Sequence, residues 1–229
     1  MISQDGYARH NIWEHSLTIQ NLYRRRCRKE AEEMTCAAQA AELMAPLASP
    51  GEVLLDAGCG SGYFFHSLAS RSIPLKYIGI DATSALLQIG KQELPAFGLP
   101  EENLKVMRLE DLNGRADFVL CMNTLTYMDN YYRPLERLLQ VTQKYLILRE
   151  SISNQAKYSY VNDDYLDPGV DLKVHINTYD KEEVVSLIKG AGFEVDEVLD
   201  RRTNGNPEMF LGCPHYWIFL VAIRKRKKM

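Results

Sequence analysis

The stretch Val53-Leu54-Leu55-Asp56-Ala57-Gly58-Cys59-Gly60-Ser61-Gly62-Tyr63-Phe64 constrains this chain more than any other. A short apolar run ends in an acid, glycine then stands at every second place, and helix-compatible residues follow. The run has the length and composition of a buried parallel strand, apolar on both faces. Gly58, Gly60 and Gly62 permit a sharp turn and let backbone amides approach a bound molecule, because no Cβ intervenes. The sequence therefore predicts a strand that breaks into a ligand-binding loop.

Strands and helices alternate around that loop. From Ile12 to about Leu47, apolar residues recur at helical steps (Ile12, Ile19, Leu22, Tyr23, then Met34, Ala38, Ala41, Met44), which predicts two helices ended by Ser49-Pro50-Gly51. They precede the loop and suit a cover over it, with Tyr7, Arg9, His10, Trp13 and His15 at its front. Beyond the loop the pattern predicts a helix over 63–70, a strand over 76–81, a helix capped by Thr83 or Ser84 and running to about Glu93, and strands over 104–109 and 117–122. A helix over 132–141 and a strand over 145–148 follow. The segment 151–178 is polar, aromatic and turn-forming, as expected of a functional loop or small subdomain. Asp180 is placed to cap a helix to about Lys189, and strands over 193–199 and 216–223 close the chain as an antiparallel pair. Such alternation predicts a parallel sheet with helices on both faces, and 229 residues suffice for one large α/β domain.

Composition removes several function classes. The net charge of −3 gives no broad field for nucleic acid. Two basic runs, Arg24-Arg25-Arg26 with Arg28-Lys29 and Arg224-Lys225-Arg226-Lys227-Lys228, read as solvated faces or tails. Cys27, Cys36, Cys59, Cys121 and Cys213 are odd in number and far apart, which favours free thiols in a reducing compartment over a disulfide frame or zinc site. No apolar run approaches the ~20 residues of a membrane span, and no charged-then-apolar leader is present. The expectation is a cytoplasmic protein with no membrane partner, no nucleic-acid partner and no metal.

The loop spacing selects its ligand. Neither Gly-x-Gly-x-x-Gly nor Gly-x-x-x-x-Gly-Lys-Ser/Thr is present. Instead Asp56-x-Gly58-x-Gly60-x-Gly62 is followed, about twenty residues on, by Asp81 at the end of the next strand, where an acid can bond ribose hydroxyls. Here the chain resembles the class I S-adenosylmethionine-dependent methyltransferases. The stretch from Val53 to Gly62 is similar to their first motif, Ile78-Gly79-Ile80-Asp81 to their second, Glu110-Asp111-Leu112 to their third, and Asp117 through Met128 to their fourth strand and following turn.

The resemblance implies a Rossmann-like, seven-stranded, mostly parallel sheet with an antiparallel last strand, helices on both faces and an N-terminal helical cover. It implies a single domain, 1–229, with the cover at 1–50, the cofactor core at 51–150, a variable acceptor-side segment at 151–178 and closing elements at 179–229. Its cofactor would be S-adenosylmethionine, with Gly58 and Gly60 against the amino-acid portion, Asp81 on the ribose, and Glu110 or Asp111 at the adenine amino group. Asp56, Cys59, Gly62, Ala82, Met122 and Asn123 complete the expected cofactor set, Asp56 as a residue that shapes the loop. The branch that methylates adenine or glutamine amides carries Asn/Asp-Pro-Pro-Tyr/Phe after the fourth strand; Met122-Asn123-Thr124-Leu125 stands here, which favours oxygen or nitrogen of a small molecule.

In-line transfer needs a general base only for a hydroxyl or protonated amine. His175, His215, His10 and His15 are the candidates, since an imidazole as a class suits proton transfer near neutral pH, and Tyr127 stands beside the fourth-strand turn as a pocket-lining candidate. An RNA or protein methyltransferase docking through its basic runs, or a module that binds the cofactor without transfer, remain rival readings.

Overall fold

The computed structural model describes residues 8–225; Tyr7 at the front of the anticipated cover, and Arg226, Lys227 and Lys228 of the terminal basic run, lie outside the described residues. Twelve strands follow in chain order: β1 (Val53–Ala57), β2 (Lys76–Asp81), β3 (Leu104–Val106), β4 (Ala116–Met122), β5 (Thr142–Ser153), β6 (Tyr160–Asn162), β7 (Lys173–His175), β8 (Tyr179–Asp180), β9 (Phe193–Leu199), β10 (Glu208–Phe210), β11 (Cys213–His215) and β12 (Trp217–Arg224). The principal helices are α1 (Leu17–Cys27), α2 (Thr35–Met44), α3 (Phe65–Ser70), α4 (Ser84–Glu93), α5 (Tyr132–Val141) and α6 (Lys181–Gly190).

The main sheet runs β3-β2-β1-β4-β5-β12-β9. Its first five strands are parallel, and β12 lies antiparallel to both β5 and β9. The seven expected strands omit β8, a two-residue strand that pairs parallel with Ile152 and Ser153 of β5. Strand order reverses between β1 and β4, so their carboxyl ends open a crevice where α/β sheets bind ligands.

Residue parity along the strands builds two cores. Leu54, Phe118, Leu120, Ile147, Phe219 and Val221 face α2, α3 and α4 through Ala40, Met44, Leu68 and Leu87. Leu55, Val119, Cys121, Leu146, Leu148 and Leu220 face α5 and α6 through Leu135, Leu138, Val184 and Ile188. A smaller third cluster of Ile12, Val174, Ile176 and Cys213 sits where the N-terminal segment meets two hairpins. No described helix is long and apolar enough to cross a membrane.

Three departures from the sequence expectation have physical causes. Strand β5 extends to Ser153 rather than ending at Leu148, because Arg149, Glu150 and Ser151 are buried with satisfied partners, and β12 pairs along them from Ser151 to Tyr145. Strand β3 stops at Val106, and Leu109 turns instead into a short 3-10 helix, Leu109–Asp111. The segment 151–178, expected as a functional loop or small subdomain, holds the antiparallel hairpin of β6 with β7, and the connection before the last strand holds that of β10 with β11.

Candidate active site

The crevice at the ends of β1, β2 and β4 is a cavity of about 220 Å³, lined by Gly58, Gly60, Asp81, Ala82, Glu110 and Asn123 together with Trp13, Tyr23 and Tyr127. Gly58, Gly60 and Gly62 all adopt the left-handed backbone region, with φ of 81°, 59° and 81°. A Cβ at Gly58 would meet Thr124 Oγ1 at 2.2 Å, and one at Gly60 would meet the Tyr23 ring at 2.4 Å. Only glycine fits this crossing of loop, α1 and the turn after β4.

Asp81 organises the loop. Its Oδ2 accepts from the Gly60 amide at 2.7 Å and its Oδ1 from the Thr83 amide at 2.7 Å. Each carboxylate oxygen keeps a further lone pair for a ligand hydroxyl. Burial raises the Asp81 pKa against the opposing pull of those amides. Thr83, expected as a helix cap, makes no side-chain cap bond; it accepts from Asn11 Nδ2 instead. The cap comes from Glu14, whose carboxylate accepts from the amides of Ser84 and Ala85.

The remaining sequence candidates divide by position. Glu110 lines the cleft and pairs with Arg108 at 2.9 Å, whereas Asp111 is exposed and outside the lining. Asp56 lies beneath the loop and accepts from Tyr77 Oη at 2.6 Å. Cys59 is also buried, with its Sγ turned towards Gly79, and a Cβ at Gly62 would meet Leu104, so neither residue faces the cleft. Met122 packs on the first core. His175 stacks on Tyr160 at 4.4 Å and does not line the cleft. His10 is exposed, and His15 Nε2 contacts the Ala8 carbonyl oxygen at 3.1 Å.

A second cavity, of about 300 Å³, adjoins the first and shares Trp13, Tyr23, Asn123 and Tyr127 with it. Its other walls include Arg26, Arg149, Tyr165, Phe210, His215 and Trp217. Tyr127 meets Trp13 edge-on at 5.6 Å, and burial raises its hydroxyl pKa. Arg26, read from sequence as part of a solvated run, instead lies 5.1 Å from the ring centroids of both Tyr23 and Tyr63. Arg28 of the same run grips Glu93 through two bonds of 2.8 Å.

The model of the family described as "Methyltransferase domain" matches residues 26–198. The chain belongs to the S-adenosylmethionine-dependent methyltransferases. Over 82 residues it is 32% identical to the mitochondrial ubiquinone biosynthesis O-methyltransferase of Saccharomyces cerevisiae, a match covering 35% of this chain and 26% of that relative's length. Among solved structures it resembles a S-adenosylmethionine-dependent methyltransferase from Clostridium acetobutylicum, with a TM-score of 0.61, 14% identity, and 89% and 96% of the two chains covered. Magnesium protoporphyrin IX methyltransferase from Synechocystis, solved with bound S-adenosylmethionine, gives 0.58 at 17% identity over 98% and 93%. An amino pentose methyltransferase from Micromonospora echinaspora gives 0.57 at 16% over 83% and 92%.

In this methyltransferase the junction of the two cavities is held by residues the sequence did not single out. Glu150, fully buried, accepts from the amides of Thr124, Leu125 and Thr126 at 2.9, 3.0 and 2.9 Å and so fixes the turn after β4. Arg149 donates to Asp200 Oδ2 at 2.7 Å and to Asn123 Oδ1, and Asp200 accepts in turn from Thr203. Asn123 is thereby held at φ 53°, a left-handed conformation that asparagine tolerates better than most residues. One signal was present: three consecutive polar residues, Arg149-Glu150-Ser151, directly after a buried strand. Among the described residues, no cluster of three or more His, Cys, Asp or Glu side chains is arranged to hold a metal ion.

Proposed function

We propose that this methyltransferase transfers the methyl group of S-adenosylmethionine to oxygen or nitrogen of a small molecule bound in the second cavity. The observation that carries the reading is the sharing of Trp13, Tyr23, Asn123 and Tyr127 by two adjoining clefts. A cleft of this size suits a compact acceptor. The names of the relatives, which include an O-methyltransferase of ubiquinone biosynthesis and an amino pentose methyltransferase, support the same class.

When bound, the cofactor supplies an electrophilic methyl group on a sulfonium. The residues present fit it: Gly58 and Gly60 line the cleft with bare backbone, Asp81 keeps lone pairs for ribose hydroxyls, and Glu110, on the cleft wall, is assigned in this reading to the adenine end. Asp56, Cys59, Gly62 and Met122 serve from behind, by shaping the loop and the end of β4. Asn123 and Tyr127 orient the two ligands towards one another, and the surrounding aromatic side chains exclude water. Holding reactants in line supplies much of the acceleration of a displacement. In this reading residues 1–229 act as one domain, and residues 151–178 shape acceptor choice.

Calorimetry with S-adenosylmethionine and S-adenosylhomocysteine tests the reading. Both are expected to bind at one site per chain, and Asp81→Ala to weaken that binding at least about tenfold, as removal of a charge-assisted partner does. Failure of both molecules to bind the unmodified protein overturns it.

A further inference from the structure

His215 ends β11 in the lining of the second cavity, with 0% of the residue exposed to solvent. Neither Nδ1 nor Nε2 has a hydrogen-bond partner. A buried polar atom left without a partner is destabilising, so an imidazole with two of them calls for a physical explanation. The ring is fixed in place: it stacks on Trp217 at 4.6 Å and 17°, with Phe210 at 5.9 Å and Tyr127 at 6.2 Å.

Several other polar groups of the cavity are already engaged. Arg149 is held by Asp200 and Asn123, and Arg202 pairs with Glu208. Glu208 also accepts from Trp217 Nε1 at 2.9 Å, Ser16 Oγ donates to the Tyr165 carbonyl, and Asp163 accepts from the Tyr165 amide. Burial, with Arg149 nearby, pushes the His215 imidazole down to about 4. The Cys213 backbone opposes that shift, but neither ring nitrogen meets it in hydrogen-bonding geometry.

At neutral pH the ring is therefore uncharged, with one nitrogen donating and the other accepting. A hydroxyl can donate to one ring nitrogen or accept from the other without bringing a charge into these buried surroundings. An ammonium, carboxylate or phosphate would bury its charge against an uncharged ring that offers no counter-charge. The inference rests on reading the second cavity as the acceptor site. We infer that His215 is a specificity-determining residue of that site, and that the acceptor presents an uncharged hydroxyl group to its ring.

The test uses three probes on one scaffold, cyclohexanol, cyclohexylamine and cyclohexanecarboxylate, titrated at neutral pH into the full chain with and without S-adenosylhomocysteine. Affinity is read by ligand-observed NMR, and contact by the imidazole resonances of His215. Cyclohexanol is expected to bind about tenfold more tightly than the other two, the effect of one well-matched hydrogen bond, and to shift the His215 signals. His215→Phe, which keeps the ring stack, should remove the preference while leaving S-adenosylhomocysteine affinity unchanged; His215→Gln, whose amide both donates and accepts, should retain part of it. If His215→Phe does not fold, the wild-type imidazole signals still decide.

Equal binding of the three probes, preference for the amine or carboxylate, a preference that survives His215→Phe, or unmoved imidazole signals would each overturn the inference. Loss of the hydroxyl preference with intact S-adenosylhomocysteine binding removes this inference alone. Absence of S-adenosylhomocysteine binding removes the transfer reading, and the probe preference measured without it still reports on His215.

Discussion

Asp56 closes β1 underneath the glycine loop, where burial, reinforced by the charge of Asp81 and opposed by the Tyr77 hydrogen bond, pushes its carboxyl up to about 7. In the unfolded chain the group titrates near its ordinary value, about 3.9. The folded state therefore holds a proton that the unfolded state has released, and this stabilisation is full below about 3.9 and is lost as pH rises through about 7. Asp56→Asn should lack that dependence. In urea unfolding, the variant is expected to gain on the wild type between about pH 5 and 8 by on the order of 2 kcal/mol; a constant difference across that range would contradict it. Gly58 makes a second prediction. Gly58→Ala should abolish S-adenosylhomocysteine binding and lower the melting temperature, because the new methyl lands 2.2 Å from Thr124 Oγ1 and 2.7 Å from its Cγ2. Adding Thr124→Ala removes both contacts and should restore part of the stability. The left-handed backbone, which costs a side-chain-bearing residue roughly 1 kcal/mol, remains.

Among the elements, α4 depends on a residue far from it in sequence. Glu14 is seventy positions before Ser84, yet it caps the helix, and so ties the N-terminal cover to the turn that Asp81 shapes. Glu14→Ala should cost about 1 kcal/mol, as loss of an N-cap does, and should speed S-adenosylhomocysteine release in stopped-flow measurements; an unchanged release rate would uncouple cover from cleft. The same cap explains where the sequence was legible. Helix α5, β2 and β9 fall at their predicted boundaries, because hydrophobic period and local breakers specify them. That the glycine loop and Asp81 line the cleft was legible because close backbone approach demands glycine, and an acid ends the second strand; between Glu110 and Asp111 the sequence left the choice open, and Glu110 is the one on the cleft wall. Glu14, Glu150 and Arg149 were not. Each acts through a partner distant in the chain, and no local pattern encodes that. The hairpins β6–β7 and β10–β11 were hidden for a related reason, since their strands are three residues long and are stabilised by packing on Ile12 and Tyr127.

At the scale of the whole molecule, the Arg149–Asp200 pair joins β5, the chain leaving β9, and the Asn123 turn, with side-chain exposures of 3% and 0%. Breaking such a pair from one side leaves a buried charge, so Arg149→Met should destabilise by about 3–5 kcal/mol. Arg149→Met with Asp200→Leu removes both charges and should recover much of that in urea unfolding. Transfer activity should remain low, because Asn123 Oδ1 still lacks its partner. Recovery of activity together with stability would show that the pair serves folding alone. The wall common to the two cavities has a thermodynamic corollary. Trp13, Tyr23, Asn123 and Tyr127 cannot adjust to one occupant without altering the surface offered to the other. On the proposed reading donor and acceptor are thus linked ligands, and whatever factor the first applies to the affinity of the second, the second must return to the first.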